Sequence, residues 1–350
     1  MGNRKLLHTR TIACGLLAAG LLNLFAGCGS RAQQASLSGS AAVSIVNVSY
    51  DATREFYEEY NALFQTYWAK KTGQNVEVTQ SHGGSGKQAR SVLAGNEADV
   101  VTLALESDVD ELQKAGLTAD GWIHQLPSDS APYTSTIVFL VRKGNPKNIK
   151  DWNDVVKSGR QVITPNPKSS GGAKWNFLAA WAYADRLYGG EESKDLAFMK
   201  ALYRNVSVLD SGSRGAAATF VENGQGDVLL TWENEAFLAM REHPGAFEVV
   251  TPSVSILAQP SVAVVHTYAK KHGTEKVAKA YLQYLYSDEA QRLEAQNGYR
   301  PTNKKILQEF RRNFDLKVQL VTIADAFGGW SKADQKFFAD GAVFDQIYEK

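Results

Sequence analysis

The chain has 350 residues, of which 44% are hydrophobic and 21% charged, with a formal net charge of +1. That length exceeds a usual single core, so two lobes are expected, and the near-zero charge implies no polyanionic partner such as nucleic acid. Both cysteines, Cys14 and Cys28, lie near the N-terminus, so the body has no disulfide, thiol nucleophile or Cys-based metal site to draw on.

No acidic residue precedes Asp51. Arg4, Lys5 and Arg10 lead into the uncharged, mostly apolar run Thr11–Gly27, the pattern of a secretory signal peptide over residues 1–27. Leu24-Phe25-Ala26-Gly27-Cys28 resembles a bacterial lipobox and makes Cys28 a lipidation candidate. The alternative is cleavage further on, near Ala42, releasing a free protein. Residues 28–42, rich in Ser, Ala and Gln, read as a flexible tether. Without its leader the chain carries 35 basic and 37 acidic residues.

Beyond the tether, strands and helices alternate. Val43–Val48 reads as a strand. Thr53–Lys71 follows as an amphipathic helix with Phe56, Tyr60, Leu63, Phe64 and Tyr67 at helical spacing, stopped at Gly73. Val76–Gln80 is a strand, Lys87–Leu93 a short helix and Asp99–Leu105 an apolar strand. The fold class is therefore α/β with mainly parallel sheets. Thr134–Val141 is a long extended run that carries the chain into a second lobe. Alternation resumes over Trp152–Val250. A second extended run, Val254–Val265, is interrupted by Pro260 and carries the chain back. Two crossings make a hinge. The expected partition puts 43–131 and 256–350 in lobe one, with the C-terminal tail free to pack across a lobe, and 132–255 in lobe two. Val277–Leu285 is a further helix, with Ala278, Tyr281, Leu282 and Leu285 on one side.

Four strand-to-helix junctions share one chemistry. They are Asp51-Ala-Thr, Gly83-Gly84-Ser85-Gly86, Ser169-Ser170-Gly171-Gly172 and Ser211-Gly212-Ser213-Arg214-Gly215. The first N–H groups of a helix lack intrahelical partners and sit at its positive dipole end. Glycine lets a ligand approach that backbone, and serine adds a hydroxyl, so each junction can seat an anion. One such junction is as well explained by ordinary capping. Four at the carboxyl edges of strands, where α/β sheets bind ligands, point to a site. Trp232 ends the run Asp227–Thr231 at the same edge, and its indole N–H can only donate.

Other chemistries fit poorly. Gly83–Lys87 lacks the outer residues of a phosphate-binding P-loop, because positions 81 and 88 are Ser81 and Gln88. No Gly-x-Ser-x-Gly surrounds Ser85, Ser170 or Ser213. The histidines show no metal-ligand spacing, and no cofactor is implied. His82 beside Gly83 reads as a hydrogen-bonding support. Asp51 and Asp210 read as helix caps, with paired carboxylates as the alternative. Lys87, Lys174 and Arg214 fall within first helical turns and are expected to turn toward solvent. What remains is a set of donors, suited to a small, fully ionised oxyanion that only accepts. A protonated anion would set its own O–H against a donor, an unmatched polar group costing about 1–3 kcal/mol. Sulfate-type ions therefore fit better than phosphate.

Asn47–Asp51, Gln80–Gln88, Asp129–Thr136, Asn166–Ala173 and Phe327–Trp330 together resemble the bacterial sulfate-binding proteins of ABC sulfate/thiosulfate importers. The likeness runs from Val43 to the C-terminus. It implies a two-lobed periplasmic binding protein fold of type II, with dehydrated sulfate held between the lobes and delivered to permease subunits in the inner membrane. It also implies a monomer that is not an enzyme. By matching motif, the sulfate ligands would be the backbone N–H groups of Asp51, Ser85, Gly171, Gly172 and Ser213, the Ser170 hydroxyl and the Trp232 indole. Two positions depart from the pattern: Lys174 stands where Arg is usual, and Ser213 where relatives often carry Ala. A molybdate or tungstate receptor is the alternative within this class, and a secreted hydrolase of sulfate or phosphate esters the alternative outside it.

Overall fold

The computed structural model describes residues 42–348. Residues 1–27, Cys28 and the tether as far as residue 41 lie outside them.

The first lobe begins with β1 (Val43–Tyr50), α1 (Arg54–Thr72), β2 (Val76–Gly83), α2 (Ser85–Leu93), β3 (Val100–Leu103) and α3 (Glu106–Lys114). Helix α1 buries Phe56, Tyr57, Tyr60 and Phe64 along one face and stops at Gly73, whose φ of 73° few side chains tolerate. The chain leaves through β4 (Tyr133–Thr134) and β5 (Ile137–Arg142). The second lobe continues with β6 (Val162–Pro165), α4 (Gly171–Tyr188), α5 (Glu192–Arg204), β7 (Val206–Asp210), α6 (Ser213–Val221), β8 (Val228–Trp232), α7 (Glu233–Glu242) and β9 (Phe247–Val250). The return runs through β10 (Val254–Ile256) and β11 (Ser261–Val264). Then come α8 (Glu275–Tyr284), α9 (Asp288–Gln296), β12 (Arg300–Pro301) and β13 (Gln319–Val321).

The first sheet has the order β11-β3-β1-β2 and the second β7-β6-β8-β5-β9. Pairings β1–β2, β1–β3, β6–β7 and β6–β8 are parallel. The reversed strands are β11, antiparallel to β3, and β5, antiparallel to β8 and β9. These are the strands that continue the two crossings. A chain arriving from the opposite lobe enters the sheet against the direction of the wound strands, so neither sheet is purely parallel. The expected single run Val254–Val265 is two strands, β10 and β11, in different sheets. Between the lobes the crossings lie side by side. Ser135 and Ala258 exchange backbone hydrogen bonds of 2.9 Å each way, and Thr136 Oγ1 lies 2.8 Å from Ser255 Oγ.

The tail beyond Gln319 joins the second lobe's core. Strand β13 pairs with β10, and Phe337, Phe338 and Phe344 pack on Phe177, Trp181 and Tyr203 of α4 and α5.

Candidate functional site

Strand β6 ends at Pro165, and Asn166 then folds the next loop. Its side-chain oxygen accepts from Lys168 N at 2.9 Å, and its carbonyl accepts from Ser169 N and Ser170 N at 3.0 and 2.9 Å. Ser170 thereby arrives as the N-cap of α4, its hydroxyl oxygen accepting from Ala173 N at 3.4 Å. That leaves the hydroxyl proton free to donate. Gly171 and Gly172 are the first two helical residues, with their N–H groups directed out of the helix start.

Each glycine here is required by close approach. A Cβ on Gly171 would stand 2.8 Å from Ala104 Cβ, 3.0 Å from Leu105 Cγ and 3.1 Å from Ser85 Cβ, all of the opposite lobe. A Cβ on Gly172 would overlap Ser213 Oγ and Trp232 Nε1. On Gly84 it would meet the carbonyl oxygens of Ser169 and Ser211 at 2.6 and 3.0 Å, and on Gly212 it would overlap Asp51 Oδ2. The structure therefore brings Asp51, Ser85, Ser170, Gly171, Gly172, Ser213 and Trp232 into one cluster. Asp51, Ser85, Ser170, Ser213 and Trp232 are all buried.

The cluster is rich in uncommitted donors. Helices α2, α4 and α6 all start here. The N–H groups of Ser85, Gly171, Gly172 and Ser213 donate to no loop or turn acceptor among the described residues. The indole Nε1 of Trp232 is buried without a partner, its ring held against Tyr50 at 5.5 Å between centroids. An unpartnered buried donor costs about 1–3 kcal/mol, which a ligand that accepts from it would relieve. The Ser85 hydroxyl is already used, donating to Asp108 Oδ2 and accepting from Ala104 N at 2.9 Å. Only its backbone is left for a ligand.

Nearby cations are spent elsewhere. Lys174 Nζ meets Asp334 at 2.6 Å, and Lys168 Nζ meets Asp345 at 2.8 Å and the carbonyls of Phe338 and Ala339 at 3.0 and 3.2 Å. Arg214 reaches Glu55 of the opposite lobe at 2.6 Å and Glu235 at 3.2 Å. Of the three cations expected to face solvent, only Lys87 is exposed; Lys174 and Arg214 are half-buried in these pairs because carboxylates of the tail and of α1 lie within reach. Asp51 caps α6 across the cleft, accepting from Arg214 N at 3.2 Å. Burial raises its carboxyl's pKa against that hydrogen bond and the Arg214 charge. Burial also raises Asp108 to about 6 and Glu235 to about 8. His82 is lowered to about 4, by burial first and by Arg54 second, so its imidazole is neutral near pH 7. Among the described residues no group of three or more His, Cys, Asp and Glu is placed to hold a metal ion.

Sequence reasoning missed the groups that join the lobes around this cluster. Trp175 Nε1 donates to Ala104 O at 3.0 Å, and Asn234 Nδ2 donates to Ala52 O at 3.1 Å. Trp175 closes the Asn166–Trp175 stretch, so its position carried a signal. Asn234 and the Arg214–Glu55 pair carried none, because nothing local says which distant residue each meets.

The sequence profile described as bacterial extracellular solute-binding protein matches residues 45–300. The chain is 57% identical over 309 residues to the sulfate-binding protein of Escherichia coli K12, covering 88% of this chain and 94% of that one. The chain belongs to the bacterial extracellular solute-binding proteins. Within that family it is also 47% identical to the thiosulfate-binding protein of Pseudomonas aeruginosa, over 97% of this chain and 98% of the relative. The solved sulfate-binding protein SubI of Mycobacterium tuberculosis superposes with a TM-score of 0.76 at 34% identity, over 85% of this chain and 99% of that one. The two-lobed architecture is thus that of a solute-binding protein.

Proposed function

We propose that this chain is the extracytoplasmic receptor that captures sulfate, with thiosulfate as a second ligand, and delivers it to an ABC permease. The observation that carries the reading is the buried, unpartnered Trp232 indole N–H, standing with three helix N-termini where Lys174 and Arg214 are neutralised by other partners. The ligands are the backbone N–H groups of Asp51, Ser85, Gly171, Gly172 and Ser213, the Ser170 hydroxyl and Trp232 Nε1. All of them donate, and sulfate at neutral pH only accepts. Helix dipoles and oriented amides spread the compensation over several groups, so no single counter-ion is needed. The ion enters between open lobes, which close over it about the Ser135–Ala258 crossing.

The protein works in the periplasm as a monomer, with Cys28 as the candidate point of lipid attachment. It binds without turning over its ligand, as the relatives it resembles are named binding proteins. Calorimetry on the purified protein tests the whole proposal. Tight sulfate binding, with hydrogen phosphate at least about 10³-fold weaker, is expected from the hydrogen-bond mismatch. The absence of heat with sulfate would sink it, and molybdate displacing sulfate at equal concentration would move the reading to the larger oxyanions.

A further inference from the structure

The Ser213 side chain has no role so far, since the likeness to sulfate-binding proteins asks only for the N–H at this position. Its geometry gives it one. A Cβ built on Gly172 would overlap both Ser213 Oγ and Trp232 Nε1. The two atoms therefore flank the same point beside the Gly171–Gly172 helix start, close enough to share one guest oxygen. Ser213 is 4% exposed, and its hydroxyl makes no hydrogen bond among the described residues. Trp232 Nε1 is equally without a partner. Leaving the buried indole N–H unpaired is unfavourable unless a guest accepts from it, and a guest oxygen placed there lies within reach of the Ser213 hydroxyl as well.

We infer that the Ser213 hydroxyl is a further side-chain donor to the bound oxyanion, at the corner it shares with Trp232, and that it selects sulfate over thiosulfate. The inference rests on the sulfate reading above. Sulfate offers an oxygen at every vertex. Thiosulfate replaces one oxygen with sulfur, which sits on a longer bond and is the weaker hydrogen-bond acceptor. The other vertices face backbone N–H groups fixed by helix starts and the Ser170 hydroxyl, which its N-cap bond to Ala173 N holds in place. The Ser213–Trp232 corner is built from two side chains with no other partner, and with a hydroxyl there it offers a second donor and less spare room. In a Ser213→Ala variant the corner keeps one donor and gains space, and it becomes the place where the thiosulfate sulfur fits.

The test is calorimetric titration of wild-type protein and Ser213→Ala with sulfate and with thiosulfate, each variant checked for an unchanged melting temperature. Wild type is expected to favour sulfate. In Ser213→Ala the sulfate Kd should rise about 10- to 100-fold, the loss of one hydrogen bond to a charged group. The thiosulfate Kd should move by less than about 3-fold, so the preference narrows at least several-fold. Ser213→Cys keeps the size but donates weakly, and it should shift the ratio the same way if the Ala variant does not fold. Equal shifts for both ions, or no shift, overturn the inference and leave the sulfate reading standing. A wild type that binds neither ion ends both.

Discussion

At the scale of single residues, the site depends on what is missing as much as on what is present. Gly172 has no Cβ, and that absence admits Ser213 Oγ and Trp232 Nε1 to the start of α4. Gly172→Ala should cost at least about 100-fold in sulfate affinity, since the added methyl must displace one of the two donors or occupy the anion's place. Circular dichroism should show the fold retained. Trp232→Phe removes one donor and keeps most of the ring packing on Tyr50. It should weaken sulfate binding about 10- to 100-fold, and an unchanged Kd would show that the indole does not reach the ion. That these glycines and this tryptophan lie together was legible in the sequence because the signals are local: a strand end, a helix start and a residue type that only donates.

At the scale of elements, the Asn166–Trp175 stretch does more than present the N–H groups of a helix start. Asn166 shapes the loop, Ser170 caps α4, and Lys168 turns away to hold the tail through Asp345 and two carbonyls. The tail in turn covers Phe177 and Trp181 with Phe337 and Phe338. Lys168→Met should therefore loosen the tail and leave the seat intact. We expect about 1 kcal/mol lower stability and faster proteolysis near Phe338, with sulfate affinity changed less than about 3-fold, the cation being partly exposed. A large affinity loss without tail loosening would place Lys168 in the seat instead. Nothing in the sequence marked this division of labour. Lys168 and Lys174 look alike in composition, and only their distant carboxylate partners separate them from the ligand groups.

At the scale of the whole molecule, the lobes meet through buried polar groups whose ionisation depends on one another. Glu235 is buried beside Arg214, which reaches across to Glu55, while Asp51 accepts from the Arg214 N–H. Burial raises Glu235 to about 8 from its ordinary 4.5, against the attraction of Arg214. A carboxyl whose folded pKa is raised contributes stability that is full below its unfolded pKa and lost as pH climbs through the folded value. This group should therefore make the protein less stable between pH 5 and pH 8.5, by about 1–3 kcal/mol. Glu235→Gln should flatten that slope in urea unfolding measured across the range. A wild-type slope of opposite sign, or one unchanged by the substitution, would show that Arg214 keeps Glu235 ionised throughout.

From its sequence alone, the chain could be read as an exported α/β protein with donor-lined helix starts and two extended crossings. Those features follow from periodicity, capping residues and glycine placement, all of which act over a few neighbours. Tertiary structure decided the rest. It set the two reversed strands, because a strand's direction in a sheet depends on which lobe it came from. It put the tail on the second lobe, because aromatic side chains pack wherever a complementary apolar face exists. It set Ser213 Oγ and Trp232 Nε1 beside the same helix start and gave Lys174 and Arg214 other partners, because a side chain's role is set by the atoms folding brings near it.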